Sequence, residues 1–165
     1  MHIEIIPAAR EQEPILANLL ELYGYDFSGF HSLEVGSDGR FGYKCATVLE
    51  RTRPTSVSSQ GGWQIGRAGL VKRGSEVSGN EAVWDMAEFF IMRGYRRRGI
   101  GTQVAHQVWR GFPGLWEVRV MQSNVSAHHF WEQAISTFTG EAIHPVRVER
   151  GGEGWKCFSF QSCVA

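Results

Sequence analysis

Apolar residues change their spacing several times along this chain, and each change marks an element. Ile3, Ile5 and Ile6 form a short strand pattern at residues 3–6. Pro14 suits the first turn of a helix. Ile15, Leu16, Leu19, Leu20 and Tyr23 then follow one helical stripe, which ends near Gly24. Tyr25, Phe27 and Phe30 come next, on a stretch without a clear period. Aromatics in such a place either tuck under the core or wall a small-molecule pocket. Residues 41–49 read as a strand. Residues 51–62 are polar, with Pro54, several serines and a glycine pair, and read as a long hairpin loop or irregular insertion. Residues 63–71 form the next strand, weakened by Gly66 and Gly69, and residues 73–80 a turn.

The second half is more regular. Ala82, Val83 and Trp84 lead into an apolar strand that ends at Met92. Val104, Ala105, Val108 and Trp109 then recur at helical spacing up to about Arg110, and Gly111-Phe112-Pro113-Gly114 stops that helix. Trp116, Val118 and Val120 alternate with Glu117, Arg119 and Met121, the mark of a half-buried strand. Asn124 or Ser126 caps an amphipathic helix with Ala127, Phe130, Trp131 and Ala134 on one face. Residues 143–148 and 155–160 supply two closing strands around a glycine-rich turn. No segment repeats. The pattern predicts one mixed α/β domain over residues 1–165, with helices interrupting a largely antiparallel sheet.

Composition adds mainly exclusions. A chain of 165 residues suits one domain with a real core. Its 17 basic and 17 acidic residues cancel, so no global field points to nucleic acid or a membrane surface as partner. Cys45, Cys157 and Cys163 lack a Cys-x-x-Cys pair, which suggests neither a disulfide framework nor a zinc site, and no metal is expected. The first residues do not read as a signal peptide, and no apolar run is long enough to span a bilayer. The expected setting is cytoplasmic.

The chemistry concentrates at residues 95–104, Tyr-Arg-Arg-Arg-Gly-Ile-Gly-Thr-Gln-Val, between a strand and a helix. Two glycines let a backbone approach a bulky group, and a helix N-terminus offers free N–H donors with a favourable dipole. With the arginines this makes an anion cradle suited to phosphate or pyrophosphate. A basic surface turn that merely caps a helix accounts for the same residues taken alone. A P-loop fails, because Ile100-Gly101 stands where Lys-Ser/Thr is needed. A dinucleotide fingerprint fails at Val104, where its third glycine belongs.

Arg96-x-x-Gly99-x-Gly101 resembles the Arg/Gln-x-x-Gly-x-Gly/Ala signature of the GNAT superfamily of acyl-CoA-dependent N-acetyltransferases. Asn124-x-x-Ala127, followed by Phe130 and Trp131, resembles that family's second block, in its order and with a strand between the two. The resemblance is strong over residues 84–140 and implies a twisted, mostly antiparallel sheet of about six to seven strands flanked by helices. It implies acetyl-CoA as co-substrate, with its pyrophosphate on Arg96, Arg97, Arg98, Gly99, Ile100, Gly101 and Thr102. The pantetheine arm would lie along Ile91, Met92 and Arg93 and meet Asn124, Ala127 and Trp131. Trp131 stands where the family often has a tyrosine acid, and an indole is no proton source. Another group or water then protonates the thiolate, or it leaves unprotonated, as its modest basicity allows.

The resemblance places the general base on or near the fourth strand, where Asp85 and Glu88 are the carboxylates. Their three-residue offset puts them on opposite faces of a regular strand unless a bulge changes the parity. Glu88 is the favoured base, since its apolar neighbours should raise its pKa. A structural carboxylate is the alternative. His128 and His129 read as solvated on their helix. Tyr25, Phe27 and Phe30 are the candidate acceptor wall. The acceptor would be an amine of a small molecule or a protein, and a homodimer stays open. A coenzyme-binding module without catalysis is the rival function, and a nucleic-acid module the weakest.

Overall fold

The computed structural model describes residues 4–7, 9–42, 52–58 and 67–163. Its frame is one seven-stranded sheet, β1 (Glu4–Pro7), β2 (Thr52–Ser58), β3 (Arg67–Arg73), β4 (Trp84–Ile91), β5 (Gly114–Met121), β6 (Val146–Arg150) and β7 (Glu153–Ser162). The spatial order is β1-β2-β3-β4-β5-β7-β6. Only β4 and β5 run parallel; every other neighbouring pair is antiparallel. The helices are α1 (Glu13–Phe27), α2 (Ile100–Gly111) and α3 (Val125–Thr139).

Two apolar layers hold the sheet. On one face, Met86 and Ile91 of β4, Trp116, Val118 and Val120 of β5 and Phe158 and Phe160 of β7 meet α2 and α3. Trp109 of α2 is the hub, with ring centroids 4.8 Å from Phe160, 5.1 Å from Phe138 and 6.1 Å from Trp131. Edge-on aromatic contacts of this kind add about 0.5–1.5 kcal/mol each beyond the area buried. On the other face, Leu16, Leu19 and Leu20 of α1 close over Phe90, with Ala87 and Met92 beside them.

Three sequence expectations change. The first helix does not stop at Gly24 but runs to Phe27, so Tyr25 and Phe27 are helical. Gly24 is a packing residue: a Cβ there would lie 3.2 Å from the Cβ and Cγ of Phe41. The polar stretch at 51–62 contains β2, paired on both sides, with Pro54 opposite Leu70. Sheet pairing uses backbone groups, which a polar composition does not reveal. Phe41 and Gly42 are irregular, while the rest of the strand expected at 41–49 lies outside the described residues, as do residues 59–66. The strand expected at 63–71 appears as β3, from Arg67 to Arg73.

Candidate active site

The parallel pair β4–β5 is joined only at Trp84–Trp116 and Asp85–Glu117. Beyond that point β4 continues to Ile91 and β5 to Met121 without pairing to each other, so the two strands part in the middle of the sheet. The joined end is clamped by aromatics. Trp84 stacks on Trp116 with centroids 6.1 Å apart and donates Nε1–H to the Pro113 carbonyl at 3.1 Å. A parallel pair that opens halfway leaves backbone N–H and C=O groups facing a slot, ready for an extended ligand.

The glycine loop lies at the open end. Arg97 has φ +59° and Gly99 φ +71°, so two left-handed residues curl the chain just before α2. Alternation of this kind gathers successive N–H groups into an anion-binding concavity. Gly99 is the N-cap of α2 and offers no side chain, and Gln103 N–H makes the first bond back to its carbonyl, at 3.1 Å. The N–H groups of Ile100, Gly101 and Thr102 therefore head the helix dipole without a side-chain cap. A Cβ added at Gly99 would meet only Gln103 Nε2, at 4.0 Å, so the space in front of the loop is open. Gly101 has a different reason to be glycine: a Cβ there would sit 3.0 Å from the Phe130 ring of α3. The donor set fits a pyrophosphate. A groove of ≈ 530 Å³ leads from Thr102 between α2 and α3, past His129, Gln133 and Thr137.

Arg93 and Arg96, expected at the coenzyme, both pair with Asp26 of α1 while their side chains stay exposed. Arg93 donates to Asp26 Oδ1 from Nε and Nη2 at 2.9 and 2.7 Å, and Arg96 Nη2 binds Asp26 Oδ2. Arg96 Nε also donates to the Ile91 carbonyl at 2.5 Å. Burial works to raise the Asp26 pKa, but the two guanidiniums outweigh it and hold the carboxyl below its usual value. Asp26 was not singled out by sequence. The available signal was a carboxylate in the last turn of α1, where the dipole disfavours it unless cations hold it.

Asn124 is the N-cap of α3, accepting from Ala127 N–H at 3.1 Å. Trp131, expected beside the coenzyme, is only 6% exposed and packs among Phe89 (4.9 Å), Phe130 (4.8 Å) and Trp109. It is a core ring. Trp131→Phe is therefore expected to lower stability by about 1–3 kcal/mol and to keep turnover within about tenfold. A loss beyond about a hundredfold, in a variant that still binds acetyl-CoA, would show a direct chemical role. His128 departs from the solvated expectation. It is buried, its Nε2 is 3.0 Å from the Met121 carbonyl, and burial lowers its pKa.

The two carboxylates of β4 share a face. Leu70 pairs with Glu88 but Val71 pairs with Met86, so Ala87 is an extra residue that bulges β4. Lys72 opposes Asp85 and Leu70 opposes Glu88, and positions 70 and 72 lie on the same side of β3. Access differs. Asp85 is fully buried between Arg119 Nη2 at 3.2 Å and Lys72 Nζ at 3.5 Å, neither aligned for a hydrogen bond. Burial raises its pKa against the pull of both cations. Glu88 is half-buried, and its charge helps hold the Arg119 pKa up against the cost of burial, after Asp85 and Glu76.

Arg119 was read only as a polar position of a half-buried strand. Its side is instead roofed by the β3–β4 turn: Arg119 Nη1 reaches Glu76 Oε2 at 2.9 Å and Ser75 Oγ bonds Glu117. Burial first, then Glu117 and Asp85, pushes the Cys157 thiol up to about 12, which removes it as a nucleophile. Tyr25 points outward at 63% exposure. Phe27 rests on Tyr23 and His31, and the Phe30 carbonyl accepts from Ser123 Oγ at 3.2 Å, so the segment after α1 reaches the open end of β5. Among the described residues no cluster of His, Cys, Asp or Glu is placed to hold a metal. None of the described helices is long and apolar enough to cross a membrane.

No protein-family model and no curated protein matches the sequence. Solved structures do match the shape. An acetyltransferase from Thermus thermophilus aligns with TM-score 0.71 at 17% identity, over 98% of this chain and 97% of that one. The PaiA N-acetyltransferase from Thermoplasma acidophilum, in complex with coenzyme A, aligns with TM-score 0.64 at 14% identity, over 97% and 100%. A GNAT family acetyltransferase from Elizabethkingia anophelis, with acetyl-CoA bound, aligns with TM-score 0.59 at 12% identity, over 96% and 97%. The chain has the GNAT fold. Within it, the parted strands and the glycine loop are features of this chain's own backbone, and they stand whatever the side chains around them.

Proposed function

We propose that the protein is an N-acetyltransferase that moves an acetyl group from acetyl-CoA to a primary amine by direct attack. The observation that carries this reading is the opening between β4 and β5, placed beside an uncapped, glycine-led helix start. The slot suits an extended arm, the loop its pyrophosphate, and the groove from Thr102 its nucleotide end. Relatives in fold crystallised with coenzyme A or acetyl-CoA support the assignment.

Acetyl-CoA supplies an activated thioester; the chain supplies position, charge and a proton acceptor. The loop amides of residues 98–102 hold the pyrophosphate. The developing oxyanion is met by backbone N–H groups on the free edge of β4. Glu88 takes the proton of the incoming ammonium, directly or through a water. The new C–N bond forms as the C–S bond breaks, and coenzyme A leaves as its thiolate or thiol. Asp85 has no path to the amine and acts by fixing Lys72 and Arg119.

Titration calorimetry with acetyl-CoA, followed by a thiol-release assay with primary amines, tests the proposal. The expected affinity lies in the usual range of about 1 μM to 1 mM. No binding at millimolar acetyl-CoA would overturn it.

A further inference from the structure

A second cavity, of ≈ 290 Å³, lies on the sheet face that carries Glu88. Its walls come from four places: His31 after α1, Glu76 and Val77 of the β3–β4 turn, Arg119 of β5, and the β6–β7 hairpin with Arg150, Glu153 and Trp155. Arg119 is part of the wall, and β4 and β5, in register at Asp85–Glu117, carry Glu88 and Arg119 onward on the same face of the sheet. The volume suits a ligand of amino-acid size.

The charges around it sort into closed sets with one left over. Arg119 and Lys72 share Glu76 and Asp85, at 2.9 and 3.2 Å for Arg119 and 2.5 and 3.5 Å for Lys72. Two cations thus meet two carboxylates. Glu153 is held by His31 Nδ1 at 2.5 Å. Glu149 and Arg147 alternate to the opposite face of β6, away from Val148 and Arg150. Among the described residues Arg150 makes no ion pair, although it lines the cavity. A ligand that reaches from this cavity to Glu88 carries an ammonium at that end and an anion for Arg150 at the other, with the Trp155 ring alongside its body. A guanidinium matches a planar carboxylate in shape as well as charge.

Building on the acetyltransferase reading, we infer that the acceptor is a small free amine bearing a carboxylate, an amino-acid-like molecule whose carboxylate is read by Arg150. The test is a thiol-release assay with glycine, alanine, glutamate and phenylalanine, each beside its carboxamide and its decarboxylated amine, and with a peptide carrying a free N-terminus. The best acid should exceed its own amide and amine at least about tenfold in kcat/KM, the scale of one charge-assisted contact. Arg150→Gln should bring that ratio toward one while the acetyl-CoA affinity holds. Equal use of acid and amide, an acid preference that survives Arg150→Gln, or turnover of the peptide alone would overturn the inference. Tight acetyl-CoA binding without turnover of any free amino acid would overturn it too, and leave the coenzyme assignment standing. Failure to bind acetyl-CoA would instead remove the reading beneath it.

Discussion

Replacing Gly99 by valine is expected to raise the acetyl-CoA dissociation constant by about a hundredfold or more while leaving the protein folded. The two effects separate because of where the new side chain would go. A Cβ at Gly99 meets no part of the protein closer than Gln103 Nε2 at 4.0 Å, so it creates no clash in the folded chain. It does project into the open space before the N–H groups of α2, where the pyrophosphate must sit. Losing one or two charge-assisted contacts at about 1.5–3 kcal/mol each gives the expected factor. The backbone adds a smaller cost. Gly99 has φ +71°, and a β-branched residue there is strained by about 1–2 kcal/mol. A melting temperature lowered by a few degrees with calorimetric binding lost fits this picture. Wild-type affinity in a folded Gly99→Val protein would remove the cradle from the site.

The contrast with Gly101 shows how much of the loop was legible in the sequence. Both glycines were visible, and so was the order of strand, basic loop and helix. Their separate reasons were not, because one depends on a dihedral angle and the other on a ring from another helix, 3.0 Å from the absent Cβ. The partner of the arginines was hidden for a similar cause. Side chains next to a phosphate loop look like phosphate ligands, yet Arg93 and Arg96 are claimed by Asp26, about seventy positions earlier in the chain. Local patterns reported the amphipathic α2 and α3 and the alternation in β5 well, since burial on one face dictates them. They failed at β2, whose place between β1 and β3 rests on backbone pairing. They failed also on the polar face of β5, which the β3–β4 turn covers through Glu76 and Ser75. A segment folding back over a strand leaves no period in the strand's own sequence.

The bulge at Ala87 bears most directly on catalysis, and Glu88→Gln is its test. Without the bulge, Glu88 would lie on the face of Met86, against α2 and α3, where no amine can arrive. With it, Glu88 joins the face of Asp85, the face that also carries Arg119 and the smaller cavity. Glutamine keeps the shape and the hydrogen-bonding reach but cannot accept the proton. Turnover should fall by about two to four orders of magnitude, with acetyl-CoA affinity nearly constant. The acidic limb of the kcat/KM profile should disappear with it, because that limb reports protonation of the base. A structural Glu88 would answer differently, with melting temperature and coenzyme affinity falling together and the limb retained. Asp85→Asn is the companion measurement. Asp85 is fully buried, and removing its charge takes a carboxylate partner from both Arg119 and Lys72, so the expected result is a loss of stability with the acidic limb intact. If Asp85→Asn instead abolishes turnover in a stable protein that still binds acetyl-CoA, the proton goes to Asp85, and the bulge serves only to seat Phe90 against α1.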